Sequence, residues 1–480
     1  MRRTKIIATL GPSTEGEQVL DEIIRAGVDV VRVNFSHGDT EEHTRHARRV
    51  GERSAALSRR VGVLADLQGP KIRVERFRDG PVYLEEGARF ILDAACAPDA
   101  GTVERVGISY KALPEDVAPG DTLLLDDGNI VLWVEDVVGG EVISRVVMGG
   151  ELSNNKGINR QGGGLSATAL TDKDRADIEV AAQLGADYLA VSFPRSAADI
   201  HEARELMERA GGRAGIVAKI ERAEALEAIE EIIAAADAVM IARGDLGVEI
   251  GDAELPAVQK RIVRLAREMN RAVITATQMM QSMIQHQIPT RAEVFDVANA
   301  VLDGTDAVML SAETATGRYP AKVVAAMDRI CRGAERQREA TVSGHRLNAR
   351  FGRIDEAIAM ASMYTANHLG VRAIAALTES GATTLWMSRI SSGIPIYALT
   401  PHEGTQRKVT LYRGVYPMAF EVNTTDHAVV NREAIGLLMR RNAVRDGDLV
   451  IITKGDLIGQ HGGTNAMKII RVGDVVPPQD

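Results

Sequence analysis

Cysteine is scarce in this sequence: Cys96 and Cys331 are the only two among 480 residues, and they lie far apart. Two isolated thiols predict neither a disulfide framework nor a cysteine-based zinc site, and they fit a reducing compartment. Aromatic residues are also rare, at 4% of the chain. We therefore expect a cytoplasmic protein whose cores are built mainly from Ala, Val, Ile and Leu.

Long apolar runs and an excess of positive charge are missing as well. The apolar stretch behind the basic start is broken at Gly11 and Pro12, which makes it too short for the core of a signal peptide or for a membrane span. The 57 basic and 66 acidic residues give a formal net charge of −9. A mildly acidic chain has no general attraction for nucleic acid or anionic membranes. We expect neither as a partner, and any anionic substrate needs a local basic site.

The sequence does contain an alternation of short apolar runs with amphipathic helical patterns, such as those over Glu17–Ala26 and Glu221–Ala235. Continuous runs of this length are typical of parallel strands buried on both faces. Eight strand-then-helix units predict an α/β fold built on a (β/α)₈ barrel. The predicted strands are Lys5–Leu10, Val28–Asn34, Val61–Asp66, Tyr188–Ser192, Ile216–Ile220, Ala238–Ala242, Ala272–Ala276 and Ala307–Leu310.

Two stretches interrupt this alternation. Residues 70–166 are rich in Val, Gly and Asp, with turn signals such as Asp127-Gly128, and they predict an inserted β domain that rejoins the barrel through Gly162–Gly164. Residues 341–480 have an αβ alternation of their own and predict a small open α/β domain. The barrel itself is then expected over residues 1–69 and 167–340.

Polar residues follow the predicted barrel strands at their carboxyl ends, where barrels of this type carry their chemistry. Glu221 and Asp245 form a pair suited to a hard cation such as Mg²⁺. Arg32, Arg73, Lys219 and Arg243 would supply positive charge for a phosphorylated acid. Each such residue by itself is more often a solvated strand end or, for Thr277, a helix N-cap. Their coincidence at six of the eight strand ends favours a phosphoryl-transfer site.

Several long motifs occur in the chain: TKIIATLGP (residues 4–12), VRVNFSHG (31–38), DLQGPKIR (66–73), LLLDDG (123–128), NNKGIN (154–159), VAKIERAEAL, IARGDLGVEI, ITATQMMQSMI and TESGATTLWMSRISSG. In these motifs, and over nearly its whole length, the chain resembles the pyruvate kinase family. The resemblance implies a (β/α)₈ barrel with an inserted β-barrel lid domain and a C-terminal open α/β regulatory domain. It also implies transfer of the phosphoryl group of phosphoenolpyruvate to ADP, giving pyruvate and ATP in the final step of glycolysis.

The resemblance assigns roles at the barrel mouth. Glu221 and Asp245 are similar to the side-chain ligands of the catalytic Mg²⁺, and a second Mg²⁺ is expected to arrive with ADP. Lys219 resembles the lysine that stabilises the transferring group, and Thr277 resembles the threonine that binds substrate and helps relay a proton to the enolate. The other implied contacts are Arg32 and Arg73 with phosphate, Arg243, Gly244 and Asp245 with the substrate, and Asn34, His37, Arg73 and Asp127 with the nucleotide.

One motif departs from the pattern of family members that need K⁺. Asn34, Ser36 and Asp66 match the residues that would hold this ion. The stretch after Asp66 reads Leu67-Gln68-Gly69-Pro70-Lys71, where those members have Thr-Lys-Gly-Pro-Glu. A fixed ammonium group at Lys71 would replace the charge of the bound cation. We therefore expect that K⁺ is not required.

In the C-terminal domain, a segment rich in hydroxyls lies between a predicted strand and a predicted helix. Amides and hydroxyls at a helix N-terminus suit phosphate, although plain helix capping explains the segment equally well. The resemblance places a phosphorylated effector here, a sugar phosphate or AMP, and implies a homotetramer. The expected effector contacts are Thr378, Ser380, Gly381, Ala382, Thr383, Thr384, His461 and Gly462.

Two other functions are compatible with parts of the sequence. A Mg²⁺-dependent carbon–carbon lyase acting on a pyruvate enolate would share the barrel and the metal pair. Such a lyase would not need the inserted lid, Arg73 or a nucleotide. A catalytically silent effector-binding protein would be favoured by loss of Lys219, Glu221, Asp245 or Thr277, and all four are present.

Overall fold

The computed structural model describes residues 1–337, 350–456 and 462–474 of the chain. Its first strands and helices alternate as the sequence predicts. They are β1 (Lys5–Thr9), α1 (Glu17–Ala26), β2 (Val30–Asn34), α2 (Thr40–Ala56) and β3 (Gly62–Asp66). Across the described residues, no helix combines the length and the apolar character needed to cross a membrane.

The first two helices illustrate how local sequence sets local structure. Apolar residues recur in α1 at helical spacing, so Ile23 and Ile24 are buried. The helix ends at Gly27, whose φ of 117° lies in the left-handed region that glycine adopts without strain. Helix α2 begins after Asp39, whose carboxylate accepts a hydrogen bond of 2.9 Å from the amide of Glu42.

The segment after β3 forms a separate β domain with its own apolar core. Its elements are β4 (Val82–Leu84), β5 (Arg89–Asp93), β6 (Arg105–Gly107), α3 (Leu113–Asp116), β7 (Thr122–Leu125), β8 (Ile130–Val138), β9 (Glu141–Met148), β10 (Gly150–Leu152) and β11 (Ile158–Arg160). Strands β11, β7, β8, β9, β5 and β6 make a mostly antiparallel sheet in that order, and β10 pairs with β4. The chain returns to the barrel through Gly162, Gly163 and Gly164, whose φ values of 82°, 80° and 94° favour glycine.

The chain then completes the barrel and its outer layer of helices. The elements are α4 (Asp172–Gln183), β12 (Tyr188–Val191), α5 (Ala197–Arg209), β13 (Gly215–Ile220), α6 (Ile229–Ala235), β14 (Ala238–Ala242), α7 (Arg243–Ile250), α8 (Leu255–Glu268), β15 (Ala272–Ala276), α9 (Arg291–Asp303), β16 (Ala307–Leu310), α10 (Ala312–Ala315) and α11 (Pro320–Ala334). The eight barrel strands close in the order β1, β16, β15, β14, β13, β12, β3, β2. This closed parallel barrel confirms the predicted fold.

One predicted helix is wrong over its first turns. The pattern over residues 221–235 predicts a single helix, but the structure has a 3₁₀ turn at Glu224–Leu226 and α6 begins only at Ile229. The irregular path after β13 leaves Glu221 buried, with its carboxylate accepting a hydrogen bond of 2.9 Å from the amide of Phe193. A polar contact with a neighbouring strand end therefore overrides the helical pattern at this point.

The last region is an open α/β domain. Its elements are α12 (Ile354–Leu369), β17 (Ala373–Leu377), α13 (Ala382–Ser388), β18 (Ile396–Thr400), α14 (Glu403–Lys408), β19 (Val415–Ala419), α15 (His427–Arg440), β20 (Leu449–Gly455) and β21 (Thr464–Arg471). The strands pair in the order β19, β18, β17, β20, β21, and only the edge strand β21 is antiparallel among those described. The predicted C-terminal fold is confirmed.

The C-terminal domain packs against the amino ends of the barrel strands. Lys5, at the start of β1, donates a hydrogen bond of 2.5 Å to the carbonyl of Val415 on β19. Asp306, directly before β16, pairs with the guanidinium of Arg389, and both side chains are 1% exposed. This packing covers one end of the barrel. The carboxyl ends of the strands, with their polar residues, are left on the lid side.

Candidate active site

A cavity of about 180 Å³ lies at the carboxyl ends of the barrel strands, beside the start of the lid segment. Strands that are far apart in sequence contribute to it, because closure of the barrel brings their ends together. The lining residues are Arg32, Asn34, Ser36, His37, Asp66, Gln68, Lys71, Arg73, Phe193, Lys219, Glu221, Met240, Ala242, Asp245, Thr277, Met309 and Ser311. The polar strand ends therefore meet at one mouth.

A larger cavity, of about 780 Å³, lies at the opposite end of the barrel beside the C-terminal domain. Several of its charged groups are engaged with one another. Arg2, for example, lies 2.8 Å from Asp29 and 2.9 Å from Asp328. Size alone does not identify a catalytic site, whereas convergent buried titratable groups do favour one. We therefore assign the chemistry to the smaller cavity.

Lys219 is the centre of a buried charge cluster in the smaller cavity. Its ammonium group lies 3.2 Å from a carboxylate oxygen of Asp66 and 3.0 Å from one of Glu221. It also donates a hydrogen bond of 2.6 Å to Oγ of Ser192. Arg32 joins the cluster with its Nε atom 2.5 Å from Oδ2 of Asp66. Neighbouring strands β2, β3, β12 and β13 supply these residues, so the barrel itself fixes the cluster.

The pKa values in this cluster follow from burial opposed by charge. Burial lowers the pKa of Lys219, but the carboxylates of Asp66 and Glu221 outweigh burial and raise it above its ordinary value. Burial raises the pKa of Asp66, but Lys219 and Arg32 outweigh burial and lower it. Lys219 is therefore a firmly protonated cation beside an ionised Asp66.

Glu221 and Asp245 offer the carboxylates expected of a magnesium site. Burial raises the pKa of Glu221, and the attraction of Lys219 does not offset burial together with the nearby charge of Asp245. A divalent cation bound to both carboxylates would relieve their repulsion. Hard carboxylate oxygens on an open cavity are the ligands that Mg²⁺ prefers, so the donor set fits this ion.

Two further cations border the cavity at the root of the lid. The ammonium group of Lys71 lies 3.1 Å from a carboxylate oxygen of Asp245. Arg73 donates a hydrogen bond of 2.7 Å to the carbonyl of Asn155 in the lid. Together with Arg32, they gather positive charge in a chain that is acidic as a whole, as a phosphorylated substrate would require.

The turn after β15 brings Thr277 to the start of α7. Its φ of 67° lies in the left-handed region, which is strained for a β-branched residue. The Thr277 hydroxyl donates a hydrogen bond of 2.6 Å to the carbonyl of Ala276 and accepts one of 2.9 Å from the amide of Gly244. These bonds hold the strained turn and keep the hydroxyl beside the first turn of α7. Strain of this kind is common where a side chain must be aimed at a site.

Arg243 is not among the residues that line the cavity in the described part of the chain. Its guanidinium lies 2.6 Å from a carboxylate oxygen of Asp296 on α9. It also donates to the carbonyls of Ala276 and Thr277 over 3.1 and 2.8 Å. This arrangement differs from the substrate contact expected of the side chain. Arg243 instead links the turn after β15 to α9 and positions Thr277.

The residues predicted for a monovalent cation and for the nucleotide are only partly brought together. Asn34, Ser36 and His37 line the cavity with Asp66 and Lys71. Among the other predicted residues, Leu67 is buried, and its carbonyl accepts a hydrogen bond of 2.8 Å from a serine hydroxyl.

Asp127 does not join this group in the described part of the chain. It is exposed in a turn of the lid, with a φ of 57°, and it is outside the cavity lining. The structure therefore groups the predicted residues of β2 with the charge cluster and leaves Asp127 apart.

Sequence reasoning missed Ser192 and Phe193 as parts of the site. Ser192 follows β12 directly, so the rule that found the other strand ends, a polar residue after a buried strand, could have found it. Phe193 has a φ of 55°, and its ring lies 5.3 Å from the guanidinium of Arg222. Nothing in the sequence marks that backbone conformation, which aims the Phe193 amide at Glu221.

Another pocket lies in the C-terminal domain, at the start of α13. The amide of Gly381 donates a hydrogen bond of 2.9 Å to Oγ1 of Thr378, and Thr384 donates one of 2.7 Å to the carbonyl of Gly381. Lys454, which sequence reasoning missed, lines the pocket, whereas His461 lies outside the described residues. The predicted effector residues that line it are Thr378, Ser380, Ala382, Thr383 and Gly462.

Comparison with known proteins agrees with this geometry. The family described as "Pyruvate kinase, barrel domain" matches residues 1–324, and "Pyruvate kinase, alpha/beta domain" matches residues 356–470. The chain is 57% identical to pyruvate kinase II of Salmonella typhimurium over 476 residues, which cover 98% of this chain and 99% of the relative. It is 55% identical to pyruvate kinase of Haemophilus influenzae over 459 residues, covering 95% and 96%. For pyruvate kinase of Mycobacterium intracellulare the identity is 42% over 474 residues, covering 98% and 99%. The chain therefore belongs to the pyruvate kinase family of phosphotransferases.

Proposed function

We propose that the cavity transfers the phosphoryl group of phosphoenolpyruvate to ADP and releases pyruvate and ATP. The observation that carries this proposal is the buried cluster in which Lys219 lies within 3.2 Å of both Asp66 and Glu221. A protonated lysine held in a low-dielectric cavity stabilises developing negative charge without reorganisation. Phosphoryl transfer depends mainly on such positioning and charge stabilisation.

Glu221 and Asp245 would hold one Mg²⁺, and a second Mg²⁺ would arrive with ADP. Bound Mg²⁺ supplies Lewis-acid polarisation and neutralises charge on substrate oxygens. Around it, the protein's own residues prepare the site. The amide of Phe193 orients the Glu221 carboxylate, and Lys71 pairs with Asp245.

Four side chains would act on the substrate directly. Arg32 and Arg73 carry permanently charged, planar guanidinium groups that match phosphate oxygens. Lys219 would stabilise the charge that develops on the enolate oxygen as the phosphoryl group leaves. The hydroxyl of Thr277, held beside Gly244, would take part in the proton relay to the enolate carbon. Protonation at carbon gives pyruvate, and this favourable step draws the transfer forward.

The inserted β domain would close over the cavity as a lid. Its connections support this role, because Arg73 lies where the chain leaves the barrel and the three consecutive glycines at 162–164 lie where it returns. A closed lid excludes water, which would otherwise waste phosphoenolpyruvate by hydrolysis.

Pyruvate release from phosphoenolpyruvate and Mg²⁺, measured with and without ADP, tests the proposed reaction. We expect release only with ADP. Glu221→Gln should remove nearly all turnover, whereas Glu230→Gln, which alters an exposed glutamate of α6, should keep it. Pyruvate formed equally well without ADP would contradict phosphoryl transfer.

We also propose that this activity does not need K⁺. Both carboxylate oxygens of Asp66 already have cationic partners, since Oδ2 meets Arg32 and Oδ1 meets Lys219. Lys71 brings its ammonium group to the same cavity. A monovalent cation would therefore bring little further neutralisation.

For the C-terminal pocket we propose activation by a phosphorylated effector, either a sugar phosphate or AMP. Burial lowers the pKa of Lys454, so an anion bound beside it would stabilise its charged form. The hydroxyls of Thr383 and Thr464 lie 2.9 Å apart at the same pocket. Calorimetric titration with AMP and with a hexose phosphate should show binding that shifts the substrate saturation curve. If neither compound binds and neither shifts the curve, the proposal is wrong.

Assembly into a homotetramer is a further proposal, supported by exposed apolar side chains at two places. Ile288 and Phe295, before and within α9, are 74% and 68% exposed, and Ile354 of α12 is 70% exposed. Large exposed apolar residues often mark interfaces, and their occurrence at two separate places suits two kinds of contact. Light scattering should give the mass of four chains; the mass of one chain would contradict the proposal.

A further inference from the structure

Outside the cavity, three titratable side chains converge between the loop after β1 and helix α2. Glu15 follows the 3₁₀ turn Pro12–Thr14, and Glu42 and His46 lie one turn apart on α2. Residues four apart share one face of a helix. One carboxylate oxygen of each glutamate and one ring nitrogen of His46 lie within 4.8 Å of one another.

His46 is the unusual member of this cluster. Its side chain is 7% exposed, and its Nε2 atom is buried without a hydrogen-bond partner. Buried polar atoms are nearly always satisfied, so an orphaned imidazole nitrogen calls for an explanation. His43 on the same helix shows the ordinary arrangement, because its Nε2 atom lies 2.8 Å from the carbonyl of His37.

The two carboxylates also have no partners of their own. Within the ranges that the structure describes, neither the Glu15 nor the Glu42 side chain forms an ion pair or a hydrogen bond. Arg49 donates a hydrogen bond to the backbone carbonyl of Glu15, not to its carboxylate. The Nε2 atom of His46, which has no hydrogen-bond partner, can offer a lone pair. Metal ions bind neutral imidazole and ionised carboxylate groups.

We propose that Glu15, Glu42 and His46 bind one divalent transition-metal ion, of which Zn²⁺ is the representative, at a site separate from the magnesium carboxylates. Zn²⁺ takes imidazole and carboxylate ligands at about 2.0–2.2 Å, and three protein ligands leave a fourth position for water. Ligand atoms at that distance lie roughly 3.4 Å apart in a tetrahedron. The largest separation therefore has to contract by at most about 1.4 Å, and Glu15 is exposed and can move.

The bound ion would tie the loop after β1 to the first half of α2. Both segments adjoin the candidate active site. The strand before the loop carries Thr9, whose hydroxyl accepts a hydrogen bond of 3.3 Å from Arg32. Helix α2 follows the cavity residues Asn34, Ser36 and His37. The ion would stabilise this wall of the cavity without touching the substrate.

Calorimetric titration of the untagged full chain with Zn²⁺, in excess Mg²⁺ and without substrates, tests the site. All proteins in this experiment carry Glu221→Gln, which keeps Zn²⁺ from the magnesium carboxylates. The protein with this substitution alone is the parent. The cluster variants are Glu15→Gln, Glu42→Gln and His46→Gln. The matched controls are Glu41→Gln and His201→Ala, which change an exposed glutamate of α2 and an exposed histidine of α5.

We expect one Zn²⁺ per chain, with affinity weakened by about tenfold or more in each cluster variant and unchanged in both controls. Zn²⁺ should also raise the thermal unfolding midpoint of the parent and of the controls but not of the cluster variants. Because Glu15 is exposed and Glu42 is only partly buried, the glutamate variants report on binding even if His46→Gln folds poorly. No binding by the parent, or binding that the two glutamate variants leave intact, would overturn the proposal.

Discussion

Lys219 stands out among single residues because it is a buried cation with two anionic neighbours. Burial alone would favour its neutral form, yet Asp66 and Glu221 hold the proton on it. A lysine kept charged in a cavity is suited to stabilise negative charge rather than to accept a proton. This distinction separates its proposed role from that of a general base.

Replacement of Lys219 by methionine should leave phosphoenolpyruvate binding largely intact and lower kcat by about 10²–10³-fold or more, because the lost charge acts mainly in the transition state. Steady-state kinetics together with a direct binding titration would measure both effects. Lys260→Met is a suitable control, since that lysine is 61% exposed on α8. Near-normal turnover in Lys219→Met would show that the assigned role is wrong.

Lys71 offers a second test at this scale. Lys71→Glu removes the fixed ammonium group and adds a carboxylate beside Asn34, Ser36 and Asp66, which line the same cavity. We expect the variant to become dependent on K⁺ while the parent enzyme is not. Initial rates with K⁺ and with a bulky organic cation in its place would show the difference. An identical response to K⁺ in both proteins would reject the built-in cation.

At the scale of elements, the strands were predictable and the turns between them were not. Continuous apolar runs such as Ala238–Ala242 predict parallel strands, because both faces of such a strand are buried and must be apolar. The turns that aim Phe193 and Thr277 have positive φ values, which non-glycine residues rarely adopt and which no local pattern announces. The shortened α6 could not be predicted either. Its first turns are lost to the contact between Glu221 and Phe193, which joins the ends of two different strands.

Glu249 of α7 is a buried titratable group in contact with the inserted β domain. Its carboxylate accepts hydrogen bonds from Asn159 of β11 over 3.3 Å and from the amide of Ala223 over 2.9 Å. Burial is the main cause that raises its pKa from 4.5 to about 7. Between these two values the folded state binds more protons than the unfolded chain. Its contribution to stability is therefore complete below about pH 4.5 and is lost as the pH rises through about 7.

Glu249→Gln should remove this dependence and stabilise the protein above pH 7, by up to roughly 3 kcal/mol. Chemical denaturation of parent and variant at about pH 5 and about pH 8 would show whether the variant gains free energy of unfolding at the higher pH. Glu254→Gln, which changes an exposed residue between α7 and α8, serves as the control. A stability difference between parent and variant that does not change with pH would mean that Glu249 titrates normally.

At the scale of the whole molecule, the barrel and the C-terminal domain are joined through a buried ion pair. Arg389 meets Asp306 with both side chains 1% exposed, and Asp306 also accepts a hydrogen bond of 3.0 Å from the amide of Arg413. Arg389→Ala would leave the carboxylate buried without its partner. We therefore expect the free energy of unfolding to fall by about 3–5 kcal/mol. Arg332→Ala, which removes a 55%-exposed guanidinium, should cost less than about 1 kcal/mol. Equal losses in denaturation experiments would contradict this view of the interface.

The order of the domains and the location of the cavity could be predicted from sequence, because strand spacing reveals the insertion and barrels place polar residues at the carboxyl ends of their strands. The pairing of individual charges could not. Arg243 follows a strand end just as Asp245 does, yet Asp296, 53 residues away, draws its guanidinium out of the cavity. Lys71 meets Asp245 across 174 residues. Such ion pairs depend on how the closed barrel places side chains, and the sequence pattern does not indicate them.

The joint yield of pyruvate and ATP from phosphoenolpyruvate, ADP and Mg²⁺, measured for the parent protein and for Glu221→Gln and Glu230→Gln, tests the proposed reaction most directly. Phosphoryl transfer at the cavity predicts equal amounts of the two products from the parent and from Glu230→Gln, with almost none from Glu221→Gln. Pyruvate without matching ATP, or full activity in Glu221→Gln, would contradict the assignment of this reaction to the cavity around Lys219.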